Sequence, residues 1–97
     1  MNGKHVLRLY VTGQSQRSQT SIATLRQICE EQLEGRYELQ IIDILENPQL
    51  AEDEKILATP TLIRALPEPM RRIIGDLSQV DRVLLGLDLL VHPSKGE

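Results

Sequence analysis

Three consecutive segments restrict the fold more than any other feature of the chain. His5–Val11 (HVLRLYV) alternates between apolar and other residues and predicts a strand. Ser18 can cap a helix that runs to about Glu34, where Gly35 is a sound terminator. Tyr37–Ile44 (YELQIIDI) predicts a second strand. Because a helix joins the two strands, they should be parallel, so the chain opens with a βαβ unit.

The middle of the chain predicts a short helix followed by two strands. Asn47 followed by Pro48 is typical of a helix start. Thr59–Ile63 predicts a third strand, residues 67–69 (Pro-Glu-Pro) a turn, and Met70–Ile74 a return strand. The apolar residues that we expect the short helix to direct inward are Leu50, Ala51 and Leu57.

A last helix should follow Gly75, with Asp76 or Ser78 as its cap. The order βαβαββα is that of a thioredoxin-like α/β fold, in which Pro60 stands where that architecture places a cis-proline. The apolar face expected for the last helix consists of Val80, Val83, Leu84, Leu87 and Val91.

The same second half also supports a different arrangement. Thr59-Pro60 and Pro69 are equally good helix starts, and Leu85–Leu89 (LGLDL) alternates at period two, as a strand does. Gly86 within a helix costs about 1 kcal/mol relative to alanine. Local signals that disagree do not specify one fold, and fold-switching proteins need two packings only a few kcal/mol apart. Both arrangements stay open at this point.

Composition excludes several classes of function. The formal net charge is −3, the only aromatic residues are two tyrosines, and the chain contains no block of Lys and Arg. Nucleic-acid binding would need a basic surface with stacking residues, so we do not expect it. No signal peptide and no apolar run long enough for a bilayer are present, which indicates a cytoplasmic protein. We expect one domain over residues 1–97, with an ordered core of about 5–91 and a short flexible C-terminal tail.

Catalytic chemistry finds no support in the sequence. The one cysteine, Cys29, excludes an internal disulfide and a CxxC pair, and helical spacing places it on an apolar side. A thioredoxin-like enzyme needs its thiol at the start of the first helix, where this chain has Gln14–Ser18 (QSQRS). His5 and His92 lie at the two ends of the chain, so we expect no metal, no cofactor and no enzyme activity.

Four blocks of the sequence are similar to the KaiB circadian-clock family. They are LRLYVTG, the long block IIDILENPQLAEDEKILATPTL, RRIIGDL and LLGLDLL. Together they extend over roughly Val6 to Leu90, and a block as long as NPQLAEDEKILATPTL is highly specific.

The resemblance implies a non-enzymatic adaptor that changes its fold. Family members rest as oligomers, mainly a tetramer, in a βαββααβ fold and convert to a thioredoxin-like monomer. That monomer binds the KaiC ATPase/autokinase ring, opposes KaiC phosphorylation, sequesters KaiA, displaces the kinase SasA and engages the kinase CikA. The family's switch residues correspond to Gly86 and Asp88. We expect alanine at position 86 to favour the helical form by about 1 kcal/mol.

Four cations near the long block are candidates for the KaiC contact, because cations orient an acidic partner and speed its association. They are Lys55, Arg64, Arg71 and Arg72.

The chain also departs from the family pattern. His5 stands where cyanobacterial members commonly have tyrosine, and Glu38 and Gln40 replace an alanine and a lysine used toward KaiA. These departures suit a divergent paralogue or a member from a bacterium without KaiA. The alternative function is that of a KaiB paralogue acting outside a true clock, in stress or output signalling. A thioredoxin-like redox protein is the weakest alternative.

Overall fold

The computed structural model describes residues 4–75 and 77–87 and has the predicted βαβαββα order. A π-helical turn, Cys29–Leu33, continues the first helix. The thioredoxin-like α/β fold class is therefore confirmed. The elements are β1 His5–Val11, α1 Gln16–Ile28, β2 Tyr37–Asp43, α2 Pro48–Asp53, β3 Thr61–Leu66, β4 Arg71–Ile74 and α3 Val80–Gly86.

The four strands form one mixed sheet in the order β2-β1-β3-β4. Strands β1 and β2 are parallel, as the βαβ opening requires, and His5 lies opposite Tyr37. The pairs β1/β3 and β3/β4 are antiparallel. Strands β2 and β4 are consequently the two edges of the sheet.

Helices α1 and α3 cover one face of the sheet, which we call the core face. Strands β1 and β3 contribute Leu7, Leu9 and Leu62 to it, and these side chains are fully buried. Because neighbouring residues of a strand point to opposite sides, Tyr10 and Ile63 are buried on the second face. The helical residues of the core are Leu25, Ile28, Val83 and Leu84.

The start of α1 differs from the prediction by one turn. Ser15, and not Ser18, is the cap, because the Ser15 hydroxyl accepts a hydrogen bond from the Ser18 amide at 3.1 Å. Ser18 is buried in the first turn, where its hydroxyl donates to the carbonyl of Thr12. Four serines and threonines between Ser15 and Ser21 offer several caps near the helix start, and spacing alone did not choose among them.

Helix α2 begins at Pro48 as predicted, but its inward face was predicted wrongly. The helix has only six residues and none of them is buried. Lys55 adopts a left-handed conformation (φ 56°) directly after the helix, so the chain turns away before Leu57. Leu57 is 94% exposed and Leu50 is 44% exposed, whereas Ala51 is half-buried.

Strands β3 and β4 occupy the segments that the sequence also allowed to be helical. Helix α3 begins after Gln79, which makes no side-chain capping bond, so the predicted cap at Ser78 is wrong. Val80 is exposed because it opens the helix at the surface, while Val83, Leu84 and Leu87 face the core as predicted. The other predicted cap, Asp76, and the apolar residue Val91 lie outside the described residues.

Candidate functional site

Lys55 and Arg72 are brought together on the second face of the sheet. The Arg72 guanidinium donates from Nη2 to the Glu54 carbonyl at 2.9 Å and from Nη1 to the Lys55 carbonyl at 3.2 Å. Both carbonyls belong to the residues directly after α2, so Arg72 connects strand β4 to the C-terminal end of that helix. Both cations are exposed. We call this pair the Lys55–Arg72 surface.

Arg71 does not belong to the same surface. It precedes Arg72 in β4, and strand geometry directs adjacent side chains to opposite faces of the sheet. In the register of β3 and β4, Arg71 lies opposite Arg64, and Arg72 lies opposite Ile63. Arg71 is exposed on the edge of the core face, so the two neighbouring arginines present charge in two directions.

Arg64, the fourth cation predicted for the KaiC contact, is buried in this fold. The residue is 3% exposed. Its guanidinium donates from Nη1 to the Leu87 carbonyl at 2.7 Å and from Nη2 to the Pro69 carbonyl at 2.8 Å. Alternation along β3 puts Arg64 on the core face with Leu62, where a docking partner cannot reach it. That alternation was visible in the sequence TLIRAL.

Exposed apolar side chains accompany the Lys55–Arg72 surface, and the sequence did not predict their exposure. Ile74, two residues after Arg72 on the same face of β4, is 60% exposed. Leu57, two residues after Lys55, is almost fully exposed. The surface thus combines two cations with aliphatic side chains, a mixture suited to a partner segment that is both acidic and apolar.

Gly86 ends α3 at a point where the helix lies very close to β4. A Cβ atom at this position would lie 2.5 Å from Cδ1 and 2.8 Å from Cγ1 of Ile73. Alanine there gains helix propensity only if the Ile73 side chain shifts, so the predicted gain of about 1 kcal/mol is reduced by the cost of that shift. Asp88, the other predicted switch residue, lies outside the described residues.

After the C-terminal end of β1, where a thioredoxin-like enzyme would carry its thiol, this chain has hydroxyl groups instead. The Thr12 and Thr59 hydroxyl oxygens are 2.6 Å apart, and the peptide bond between Thr59 and Pro60 is cis. Pro60 was the cis-proline candidate of the sequence. Ser15 and Ser18 complete the hydroxyl cluster.

Cys29 lies at the other end of α1 and is fully buried. Burial raises the pKa of its thiol to about 11, and the neighbouring Glu30 carboxylate adds to the effect. The thiolate is the nucleophilic form, and at neutral pH it is scarce in this environment. Both its place and its pKa oppose a redox role.

Within residues 4–75 and 77–87, no three His, Cys, Asp or Glu side chains lie close enough together to hold a metal ion. In the same part of the chain, none of the helices has the length and hydrophobicity that a bilayer crossing requires.

The family model described as the KaiB domain matches residues 8–89. The chain belongs to the KaiB family. The circadian clock protein KaiB3 of Synechocystis is 59% identical over 85 residues, which cover 88% of this chain and 83% of that relative. The circadian clock oscillator protein KaiB of Prochlorococcus marinus is 58% identical over 86 residues, covering 89% and 72% of the two chains.

Solved structures resemble this KaiB family member in fold. The N-terminal domain of Synechococcus elongatus SasA superposes with a TM-score of 0.73 at 22% identity, covering 100% of this chain and 91% of that one. The germline-specific thioredoxin Deadhead of Drosophila melanogaster gives 0.72 at 13% identity, covering 93% and 84%. At these identities the likeness concerns the fold alone.

Proposed function

We propose that this chain is a cytoplasmic, non-enzymatic clock adaptor that binds the ring of a KaiC-type ATPase/autokinase and opposes its phosphorylation. The observation that carries the proposal is the 59% identity to a protein named as a circadian clock KaiB3. The buried thiol of Cys29 and the hydroxyl cluster at the start of α1 leave the redox alternative without support.

The Lys55–Arg72 surface is the proposed site of the KaiC contact, and Arg71, which is exposed at the edge of the core face, is a further candidate. Exposed cations orient an acidic partner and accelerate association, and the neighbouring Leu57 and Ile74 supply apolar area that water leaves on docking. Arg64 is not part of this proposed contact, because its guanidinium is buried.

A change of fold is part of the same proposal. The resting state would be a tetramer or dimer in the βαββααβ fold, and the thioredoxin-like monomer would be the form that binds. Gly86 and Asp88 would set the balance between the two. The support is local: the segment around Gly86 has both a helical and a strand pattern, and α3 is only seven residues long.

Binding to a purified KaiC-type ring tests the proposed contact. Lys55→Glu reverses one charge and leaves the Arg72 hydrogen bonds in place, and Arg71→Glu/Arg72→Glu reverses two. We expect each variant to bind about tenfold more weakly or worse, mainly through slower association, with an unchanged circular dichroism spectrum. Arg36→Glu is the matched control, since Arg36 is exposed beside β2 at the opposite edge of the sheet.

Two different failures are separable in this experiment. Wild-type affinity in both sets of variants would remove the Lys55–Arg72 surface from the contact while leaving KaiC binding intact. A wild-type protein that binds no KaiC-type ring would overturn the proposed function itself.

A second candidate is a KaiB paralogue that binds a KaiC-type ATPase outside a daily oscillator. The supporting observation is at the β2 edge, where Glu38 and Gln40 are exposed. The family resemblance implies that other members use these two positions toward KaiA with different residues. Glu38 pairs with Lys4 at 3.7 Å and accepts from Gln40 at 3.0 Å. KaiA, SasA-type and CikA-type kinases are therefore secondary partners, and a pull-down with each separates the two candidates.

A further inference from the structure

Arg64 places a permanent charge among the aliphatic side chains at the centre of the core face. In the β1/β3 register it lies opposite Leu7, and Leu62 precedes it on the same face. Both leucines are fully buried. A guanidinium keeps its proton at any ordinary pH, and burying it is unfavourable unless its donors are matched by acceptors.

Two acceptors of Arg64 belong to segments far apart in the chain. Nη1 donates to the carbonyl of Leu87, 23 residues later, which is the cap residue at the C-terminal end of α3. Nη2 donates to the carbonyl of Pro69 in the loop between β3 and β4. One planar group thus joins the sheet, a loop and the end of the last described helix.

Helix α3 depends on such an attachment. A helix of seven residues is too short to be stable in isolation. Its carbonyls in the last turn lack partners within the helix, and a cation near them also interacts favourably with the helix dipole. Gly86 adds backbone freedom at the same end.

We infer that Arg64 is a conformational latch that holds the C-terminal end of α3 on the sheet, so that its release opens α3 while the rest of the sheet stays folded. The inference goes beyond the proposed function and needs no partner or second fold. Arg64 is a positioning residue in this role, since it acts through the two carbonyls that it binds.

Arg72 provides a matched comparison within the same protein. It makes the same pair of bonds to carbonyls at the end of α2, but it does so on the surface. Water can replace an exposed donor, whereas the buried carbonyl of Leu87 would lose its partner when Arg64 is changed. Lysine is the informative substitution at both positions, because it keeps the charge but lacks the planar fork that binds two acceptors.

Native-state hydrogen exchange of the full chain tests the latch. The probes are the amides of Val83 and Leu87, which donate to Gln79 and Val83 within α3, and that of Leu9 in β1. In Arg64→Lys we expect the α3 amides to exchange about tenfold faster or more, while Leu9 changes less than about twofold. In Arg72→Lys we expect no change in α3.

Two outcomes overturn the inference. Equal acceleration in α3 and β1 would mean that Arg64 contributes only to global stability, and unchanged exchange in α3 would mean that it holds nothing there. If Arg64→Lys does not fold, the test is the urea dependence of amide exchange in the wild-type protein. The latch requires the α3 amides to exchange through a local opening, so that their exchange rates depend only weakly on urea. Parallel urea dependence in α3 and β1 would contradict it.

Discussion

Arg64 and Arg72 each bind two backbone carbonyls near the end of a helix, but one guanidinium is buried and the other is exposed. The α2 end is a surface attachment in which water can substitute for the arginine. The α3 end is an interior attachment in which nothing replaces it. The same side chain and the same bonding pattern therefore serve stability at one place and remain available for a partner at the other.

The largest expected effect is on the free energy of unfolding, and it tests the comparison between Arg64 and Arg72 directly. Arg64→Met keeps much of the volume but leaves the buried carbonyl of Leu87, and that of Pro69, without this donor, so we expect the free energy of unfolding to fall by about 3 kcal/mol. Arg72→Met should cost about 0.5 kcal/mol, as exposed substitutions usually do. Urea unfolding of both variants gives the two values. Equal losses would show that burial does not distinguish the two attachments.

The next effect concerns crowding at the α3 end. Gly86→Ala gains up to about 1 kcal/mol of helix propensity but places a methyl group against Ile73, and overpacking costs about 1–3 kcal/mol. We expect a net loss of stability of roughly 1 kcal/mol in the thioredoxin-like form. In the Ile73→Ala background, which removes both close atoms, the same substitution should stabilise the protein.

A double-mutant cycle of these two substitutions measures the coupling by urea unfolding, and we expect about 1–2 kcal/mol. Additive effects would mean that Ile73 moves aside without cost, and Gly86→Ala would then act through helix propensity alone.

The smallest expected effect is a pH dependence of stability that involves Arg64, through its neighbour His5, and does not involve Arg72. Burial lowers the pKa of His5, and the positive charges of Arg64 and Arg36 lower it further. The folded protein binds this proton more weakly than the unfolded chain does. The contribution of His5 to the free energy of unfolding is complete above about pH 6.5, and it is lost as the pH falls through that value toward the lowered pKa.

Unfolding measured at about pH 7.5 and 5.5 should therefore show a decrease in stability that His5→Gln reduces. Arg72→Met should keep the wild-type decrease. If the decrease in stability between the two pH values is the same in His5→Gln as in the wild type, the titrating group is not His5.

The first half of the fold was predictable because its signals are local and agree. The strand His5–Val11, the helix after it and the parallel strand from Tyr37 each follow from one periodicity, and only the cap of α1 was displaced. The second half was not fixed in this way. The exposure of Leu57 depends on the left-handed turn at Lys55, which a helical pattern does not reveal.

The sequence predicted which cations to consider for the candidate site, but not which of them would be buried. The four cations belong to one stretch of sequence, but Arg64 lies on a central strand and is buried, whereas Arg71, opposite it in the β3/β4 register, lies on the edge strand and is exposed. The alternation of Leu62 and Arg64 contained that information, but it becomes decisive only when the core face is known. The closeness of Gly86 to Ile73 is a tertiary contact and has no local signature.

The latch also has a consequence for synthesis on the ribosome. Leu87 is made 23 residues after Arg64, a delay of roughly one to five seconds at about 5–20 residues per second. Until then the segment TLIRAL of β3 has no α3 to cover it, and its single hydrated guanidinium interrupts an otherwise uncharged, β-prone hexapeptide. Flanking or internal charges of this kind keep such segments from pairing with other nascent chains. Arg64 thus first protects β3 from pairing with other chains, and it becomes buried and binds the end of α3 only after that helix has been synthesised.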